Sequence, residues 1–265
     1  MTVIEHPEPK RGVQPLAVTA DGAPFALPRS AAGHAFFIDV DGTLIDIAAT
    51  PDAVTVPDDL AGHLAALAQG ANGAVAIVSG RTIATLDRLL GRGPFATAGL
   101  HGGQLRRSGG EIIAEPPPPA LAAVRPALER LATRWPGILI EDKGAALAVH
   151  YRGNPAAAGA VLAAVESLLP AADGLLTIQR GKMVVELKPA GAGKGKVVRE
   201  LMAAPPFAGR IPVAIGDDVT DEEMFTAVND MGGISIRIGP IDAETAAFYR
   251  LPDPASVRAW LASFN

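Results

Sequence analysis

Apolar and polar positions along this chain follow two rhythms. In the first third, the short apolar runs at Phe36–Ile38, Gly73–Val78 and Pro94–Gly99 each break abruptly at polar or glycine residues. Between them, Leu60, Leu64, Leu67 and Ala68 fall at helical spacing within Pro57–Gln69, and Thr82–Leu90 reads as a second helix. Strands that alternate with helices through short links predict a parallel sheet.

The rhythm changes after Arg106. Short strands are expected at Glu111–Ala114, Ile138–Lys143, Ala145–Arg152, Leu175–Gln179 and Met183–Leu187, with helices at Pro119–Trp135 and Asn154–Leu169. The tight Asp142–Gly144 link requires antiparallel neighbours. From Lys194 the first rhythm returns: a helix at Lys196–Met202, a strand at Ile211–Ile215, a helix at Asp221–Val228 and a strand at Gly233–Ile238. The expected fold is therefore α/β, a Rossmann-like parallel-sheet core of residues 31–106 and 189–265, split by an inserted α+β cap of residues 107–188. Glycine-rich junctions at 106–110 and 188–193 suit hinges. Residues 1–30 read as a loose extension.

The breaks carry the chemistry. Asp39 and Asp41 end the first strand in FFIDVDGTL, Ser79 and Arg81 end the second, and Asp217 and Asp218 end another. In one parallel sheet these ends share a crevice beyond the carboxyl edge. Carboxylates gathered there suit Mg²⁺, which leaves its remaining positions to water and phosphate oxygens. Lys194 opens a helix in GAGKG, where backbone N–H groups and an ammonium both suit an anion. Together they describe a magnesium and phosphoryl site. Asp221 also fits a plain capping role.

Composition narrows the rest. The 265 residues are 49% hydrophobic and 19% charged, which suits a soluble globular protein. A net charge of −5 gives no reason to expect nucleic acid or an anionic membrane as partner. The absence of cysteine removes thiol catalysis and thiolate metal sites. No signal peptide or uninterrupted apolar span is seen, so a cytoplasmic, monomeric protein is the expectation.

The order DVDGTL, serine, lysine, GDDVTD resembles the four motifs of haloacid dehalogenase superfamily phosphatases. That resemblance implies Asp39 as nucleophile, Asp41 as acid and base, and Ser79 and Lys194 as phosphoryl holders. It implies Mg²⁺ on Asp39, Asp217 and the Asp41 carbonyl, with Asp218 and Asp221 orienting the ligands. GLHGG (99–103), EDKG (141–144), HYR (150–152), GKMVVELKP (181–189) and GDDVTDE (216–222) further resemble trehalose-6-phosphate phosphatases, from about Phe36 to the C-terminus. The substrate implied is trehalose 6-phosphate, with a functional link to the synthase that would supply it. The chain departs from the family at Gln104, where an acidic residue is usual, and in GAGKG, where GTSKG is frequent.

Strand alternation in the middle block sets Ile138, Ile140, Leu147, Val149, Tyr151, Val185 and Leu187 against Glu141, Lys143, His150, Arg152, Lys182, Glu186 and Lys188. Water accounts for a mixed-charge face of this kind, and a polyhydroxylated ligand would use the same mixture. By the resemblance, Glu141, Lys143, Arg152, Lys182 and Glu186 grip sugar hydroxyls. Arg81, Gly102 and His101 are further substrate candidates, with His101 equally suited to a loop. The rival readings are a phosphatase of the superfamily acting on sucrose or mannosyl phosphates, and a catalytically silent regulatory module.

Overall fold

The structure is a computed structural model that describes residues 17–19, 22–48, 53–114, 116–181, 183–240 and 243–264. Its strands are β1 (Ala17–Thr19), β2 (Pro24–Phe25), β3 (His34–Ile38), β4 (Val75–Val78), β5 (Ala96–Gly99), β6 (Gln104–Arg106), β7 (Ile112–Ala114), β8 (Leu139–Asp142), β9 (Leu147–His150), β10 (Leu176–Gly181), β11 (Val184–Pro189), β12 (Ile211–Gly216), β13 (Ile234–Ile238) and β14 (Tyr249–Leu251). The helices are α1 (Leu60–Gly70), α2 (Ile83–Leu90), α3 (Pro119–Arg134), α4 (Ala158–Leu168), α5 (Lys194–Met202), α6 (Glu222–Asp230) and α7 (Pro254–Ala262).

Ten strands form one sheet in the order β2-β1-β14-β13-β12-β3-β4-β5-β6-β7. Its centre, from β14 to β5, is parallel. β3 and β4 are buried on both faces almost throughout, which is why they read as continuous apolar runs. Phe36, Phe37, Ile38 and Trp260 lie at 0% exposure in the core, each contributing about 1.5–3 kcal/mol by burial. The chain passes from β3 to β4 on one side, while β12 flanks β3 on the other, so strand order reverses between β3 and β12. Open α/β sheets form their crevice beyond the carboxyl ends at such a point.

The second sheet is antiparallel, in the order β10-β11-β9-β8, with Asp142 opposite Leu147 across the DKG turn. α3 and α4 cover one face and form a separate core with Leu128, Leu147, Val149, Val161, Val165 and Leu187. The helical run Pro155–Ala172 reaches a mean hydropathy of 1.5, long and apolar enough for a membrane span by composition, although the sequence suggested none. It turns Ala157, Val161, Val165 and Ala172 onto the cap sheet, and its outward face holds alanines with Glu166 and Ser167.

Three expectations change. The strand expected at 111–114 as part of the cap is the edge of the large sheet, paired antiparallel to β6, so the two sheets separate only after Ala114. A short apolar strand carries no mark of which sheet will accept it. Residues 17–19 and 22–30 are not a loose tail: β1 pairs with β14, and Trp260 Nε1 donates to Pro28 O at 2.9 Å. Residues 1–16 lie outside the described residues. The C-terminal segment adds β14 and α7, which sequence rhythm left unread. α7 begins with Asp253 accepting from Ser256 N at 2.8 Å and with Pro254 at its first position, a recognisable start signal.

Candidate active site

Asp39 follows β3, Ser79 follows β4 and Asp217 follows β12, so the three strand ends do share one crevice. The first loop turns through Gly42 at φ +80, and a Cβ there would stand 2.1 Å from Asp217 Oδ2. Glycine thus serves both the left-handed turn and the close approach of two acidic loops.

Lys194 opens α5 and is buried at 3% exposure. Its Nζ donates to Asp39 Oδ1 and to Asp221 Oδ1, each at 2.6 Å. Burial alone would lower the lysine, but Asp221 and Asp39 outweigh it and hold the ammonium above its ordinary range. The other oxygen of Asp221 accepts from the main-chain N–H of Asp217 at 2.9 Å and of Asp218 at 3.0 Å. Asp218 Oδ1 in turn takes the N–H of Val219 at 2.7 Å. Asp221 therefore closes a capping box and is also hydrogen-bonded to the lysine and to the Asp217 loop.

Asp39, Asp217 and Asp221 place carboxylate oxygens within 4.8 Å of one another. Burial first, then the neighbouring Asp221 and Asp217, pushes the Asp39 carboxyl well up, against the pull of Lys194. Asp217 is pushed up to about 7 by burial, then by Asp221 and Asp218. Its Oδ1 is buried without a hydrogen-bond partner among the described residues. Since both oxygens of Asp221 are engaged, the donor set open to a divalent cation is Asp39 and Asp217. Hard oxygen donors with an unpaired, charge-crowded carboxylate fit magnesium. The Asp41 side chain is held elsewhere: Arg81 grips it with two parallel bonds, Nε to Oδ2 at 2.7 Å and Nη2 to Oδ1 at 2.6 Å. Arg81, expected to face substrate, is thus engaged with the neighbouring strand end.

Ser79 is buried at 1% exposure, and its Oγ accepts from Arg81 N at 3.2 Å. The GLHGG loop follows β5, with Leu100, His101 and Gly102 all at positive φ. His101 N donates to Ser79 O at 3.0 Å, and Gly102 packs against Val197 of α5. Burial first, then Lys194, Lys188 and Lys143, holds the His101 ring well below the ordinary histidine range, so it is neutral near pH 7. Gln104 accepts from Ile83 N at 2.9 Å, so this departure from the family serves the start of α2.

The polar face of the cap sheet lies over this crevice: Gln179 on β10 meets the His101 ring at 3.1 Å, and Lys188 on β11 stands 3.9 Å from Glu223 of α6. Lys143 Nζ donates to Glu186 Oε2 at 2.9 Å, leaving Glu186 Oε1 buried and unpartnered among the described residues. Glu141 pairs with His150 Nε2 at 2.8 Å on the more open side, and the His150 hydrogen bond, against partial burial, lowers the Glu141 carboxyl. Arg152 is exposed on the turn after β9. Lys182 lies outside the described residues. Sequence reading put Lys188 on this face without a role and passed over Gln179; the alternation of Leu176 and Ile178 with Thr177 and Gln179 was the available signal.

Residues 37–255 match the trehalose-phosphatase family. The chain is 43% identical over 229 residues to the "Probable trehalose-phosphate phosphatase" of Sinorhizobium fredii, covering 86% of each chain. It is 38% identical over 235 residues to the trehalose-6-phosphate phosphatase of Escherichia coli, covering 88% of this chain and 87% of the relative. The C-terminal domain of Candida albicans trehalose-6-phosphate phosphatase superposes with a TM-score of 0.78 at 25% identity, over 87% of this chain and 92% of that one. A haloacid dehalogenase superfamily phosphatase from Bacteroides thetaiotaomicron superposes with a TM-score of 0.60 at 17% identity, over 89% of this chain and 96% of that one, so the chain has the haloacid dehalogenase fold and, by the family model and its relatives, belongs to the trehalose-phosphatase family.

Proposed function

We propose that this phosphoric monoester hydrolase converts trehalose 6-phosphate to trehalose and phosphate through an aspartyl-phosphate intermediate. The observation that carries the chemistry is the Asp39–Lys194–Asp221 chain beside the unpartnered Asp217 oxygen, at the carboxyl ends of β3 and β12. Lys194 aims Asp39 and opposes the upward push of burial on its carboxyl, and the ionised carboxylate attacks phosphorus through its free oxygen as the bond to the sugar oxygen breaks. Asp41 delivers a proton to that departing oxygen, then takes one from the water that cleaves the acyl phosphate. Arg81 anchors Asp41 between these steps. Ser79 and Lys194 hold the phosphoryl oxygens. Asp39, Asp217 and the Asp41 carbonyl would hold Mg²⁺, which supplies charge neutralisation for the transferring group. Asp218 and Asp221 support that set from behind.

The sugar is assigned to the cap, where Glu141, Lys143 and Glu186 offer donors and acceptors suited to hydroxyls. Phosphate release from trehalose 6-phosphate, sucrose 6-phosphate and mannosyl phosphates, with Mg²⁺ and with chelator, tests the reading. Release that favours trehalose 6-phosphate and stops with chelator is expected. A clear preference for another sugar phosphate would move the substrate, and no release from any would leave a silent module.

A further inference from the structure

His101 is where the core loop meets the cap. Its ring lies over the turn after β4, and a Cβ on Gly80 would stand 2.6 Å from Nε2. From the other side Gln179 reaches that same nitrogen at 3.1 Å, while Lys188 Nζ donates to Gln179 Oε1 at 2.5 Å. An ammonium has donors only. The oxygen of Gln179 must therefore face Lys188, which turns its NH₂ toward His101. A ring nitrogen that accepts from NH₂ carries no proton of its own.

We infer that Lys188 and Gln179 hold His101 as the neutral imidazole protonated on Nδ1, and that this Nδ1–H donates to an oxygen of the bound sugar phosphate. The second half follows from a separate observation: His101 Nδ1 is buried and has no hydrogen-bond partner among the described residues. Buried polar atoms without a partner are uncommon, and one beside the Ser79 loop is completed by a ligand. A histidine serving only to shape the loop would have no need of a two-residue relay from another sheet. Lys143, Lys188 and Lys194 all act on the ring and disfavour a second proton, which keeps it a neutral donor. Gln179 and Lys188 are positioning residues. They act through His101 and make the phosphate side of the crevice depend on the cap.

The identity of the ligand rests on the function proposed above; the tautomer does not. Long-range ¹H–¹⁵N correlation of the histidine rings in the full chain at neutral pH is expected to show His101 protonated at Nδ1. A proton on Nε2 would overturn the relay without any variant being made. Gln179→Glu, which swaps donor for acceptor, is expected to bring a proton onto Nε2, and Lys188→Met to give a mixture. With trehalose 6-phosphate, Gln179→Glu is expected to raise KM by about 10- to 100-fold with kcat changed less than about threefold, as for a lost ground-state hydrogen bond. An unmoved tautomer in Gln179→Glu sinks the relay, and an unmoved KM sinks the donor role. Wild-type protein that releases no phosphate would sink the substrate reading and leave the spectrum to decide the relay.

Discussion

The crevice and the cap face are both polar and both lie at a junction, but they are built differently. In the crevice Lys194, Asp39 and Asp221 are at 5% exposure or less, and main-chain N–H groups and a helix start hold them in place. On the cap, Lys143–Glu186 and Glu141–His150 are side-chain pairs on an antiparallel sheet, the second of them partly exposed. Buried groups held in place by partners that the fold supplies are preorganised for charge that develops in a reaction. Glu141–His150 is open to water and suited to exchange partners with hydroxyls, whereas Glu186 is 5% exposed and keeps one oxygen for a ligand. Under the proposed function, the crevice carries the chemistry and the cap the recognition.

The contrast breaks most sharply at Asp39. Asp39→Asn is expected to lower kcat by roughly 10⁴-fold or more, since it removes the proposed nucleophile, with substrate affinity by isothermal titration little changed. If turnover survived, the division of labour would be wrong at its root.

Lys194→Met comes next. It strands two buried carboxylates, so urea unfolding should show a loss of about 3–5 kcal/mol together with loss of turnover. A stable Lys194→Met protein would mean that water satisfies Asp39 and Asp221.

On the cap, Glu186→Gln is expected to raise KM by about 10- to 100-fold with kcat within a few-fold, a recognition signature. A fall in kcat with KM unchanged would move Glu186 into the chemistry.

The smallest expected effect concerns pH and metal. Asp39 is held well up and Asp217 near about 7, so the folded protein binds protons more readily than the unfolded chain, whose carboxyls titrate near 4. The contribution of Asp217 to stability is therefore present at low pH and lost as pH rises from about 4 to about 7, and that of Asp39 is likewise lost as pH rises. Mg²⁺ competes with those protons, so its shift of the melting temperature should be small at pH 5 and grow to a plateau above pH 7. A magnesium shift independent of pH would remove Asp217 from the metal set.

Much of this was legible from local pattern. A parallel strand buried on both faces is a continuous apolar run, so β3, β4 and β12 and the residues at their ends could be read directly. The alternation of β9 and β11 likewise marked which side chains share the cap's polar face. β7 could not be assigned, because three apolar residues fit the edge of either sheet. β1 was missed, because pairing with β14 joins parts of the chain more than two hundred residues apart.

By itself the sequence determined the chemistry on offer: which strands end in carboxylates, which helix begins with a lysine, and which sheet face is charged. These are properties of neighbours in the chain, set by periods of two and 3.6 residues. Tertiary structure alone decided who pairs with whom. Asp39 and Lys194 are 155 residues apart, Asp41 and Arg81 40, and His101 and Gln179 78. Those contacts depend on the strand order at the switch point and on where the cap sheet is set, which no local pattern encodes. That is why Arg81 could be anticipated as a substrate contact yet found on Asp41, and why Gln179 emerged only when two sheets were brought together.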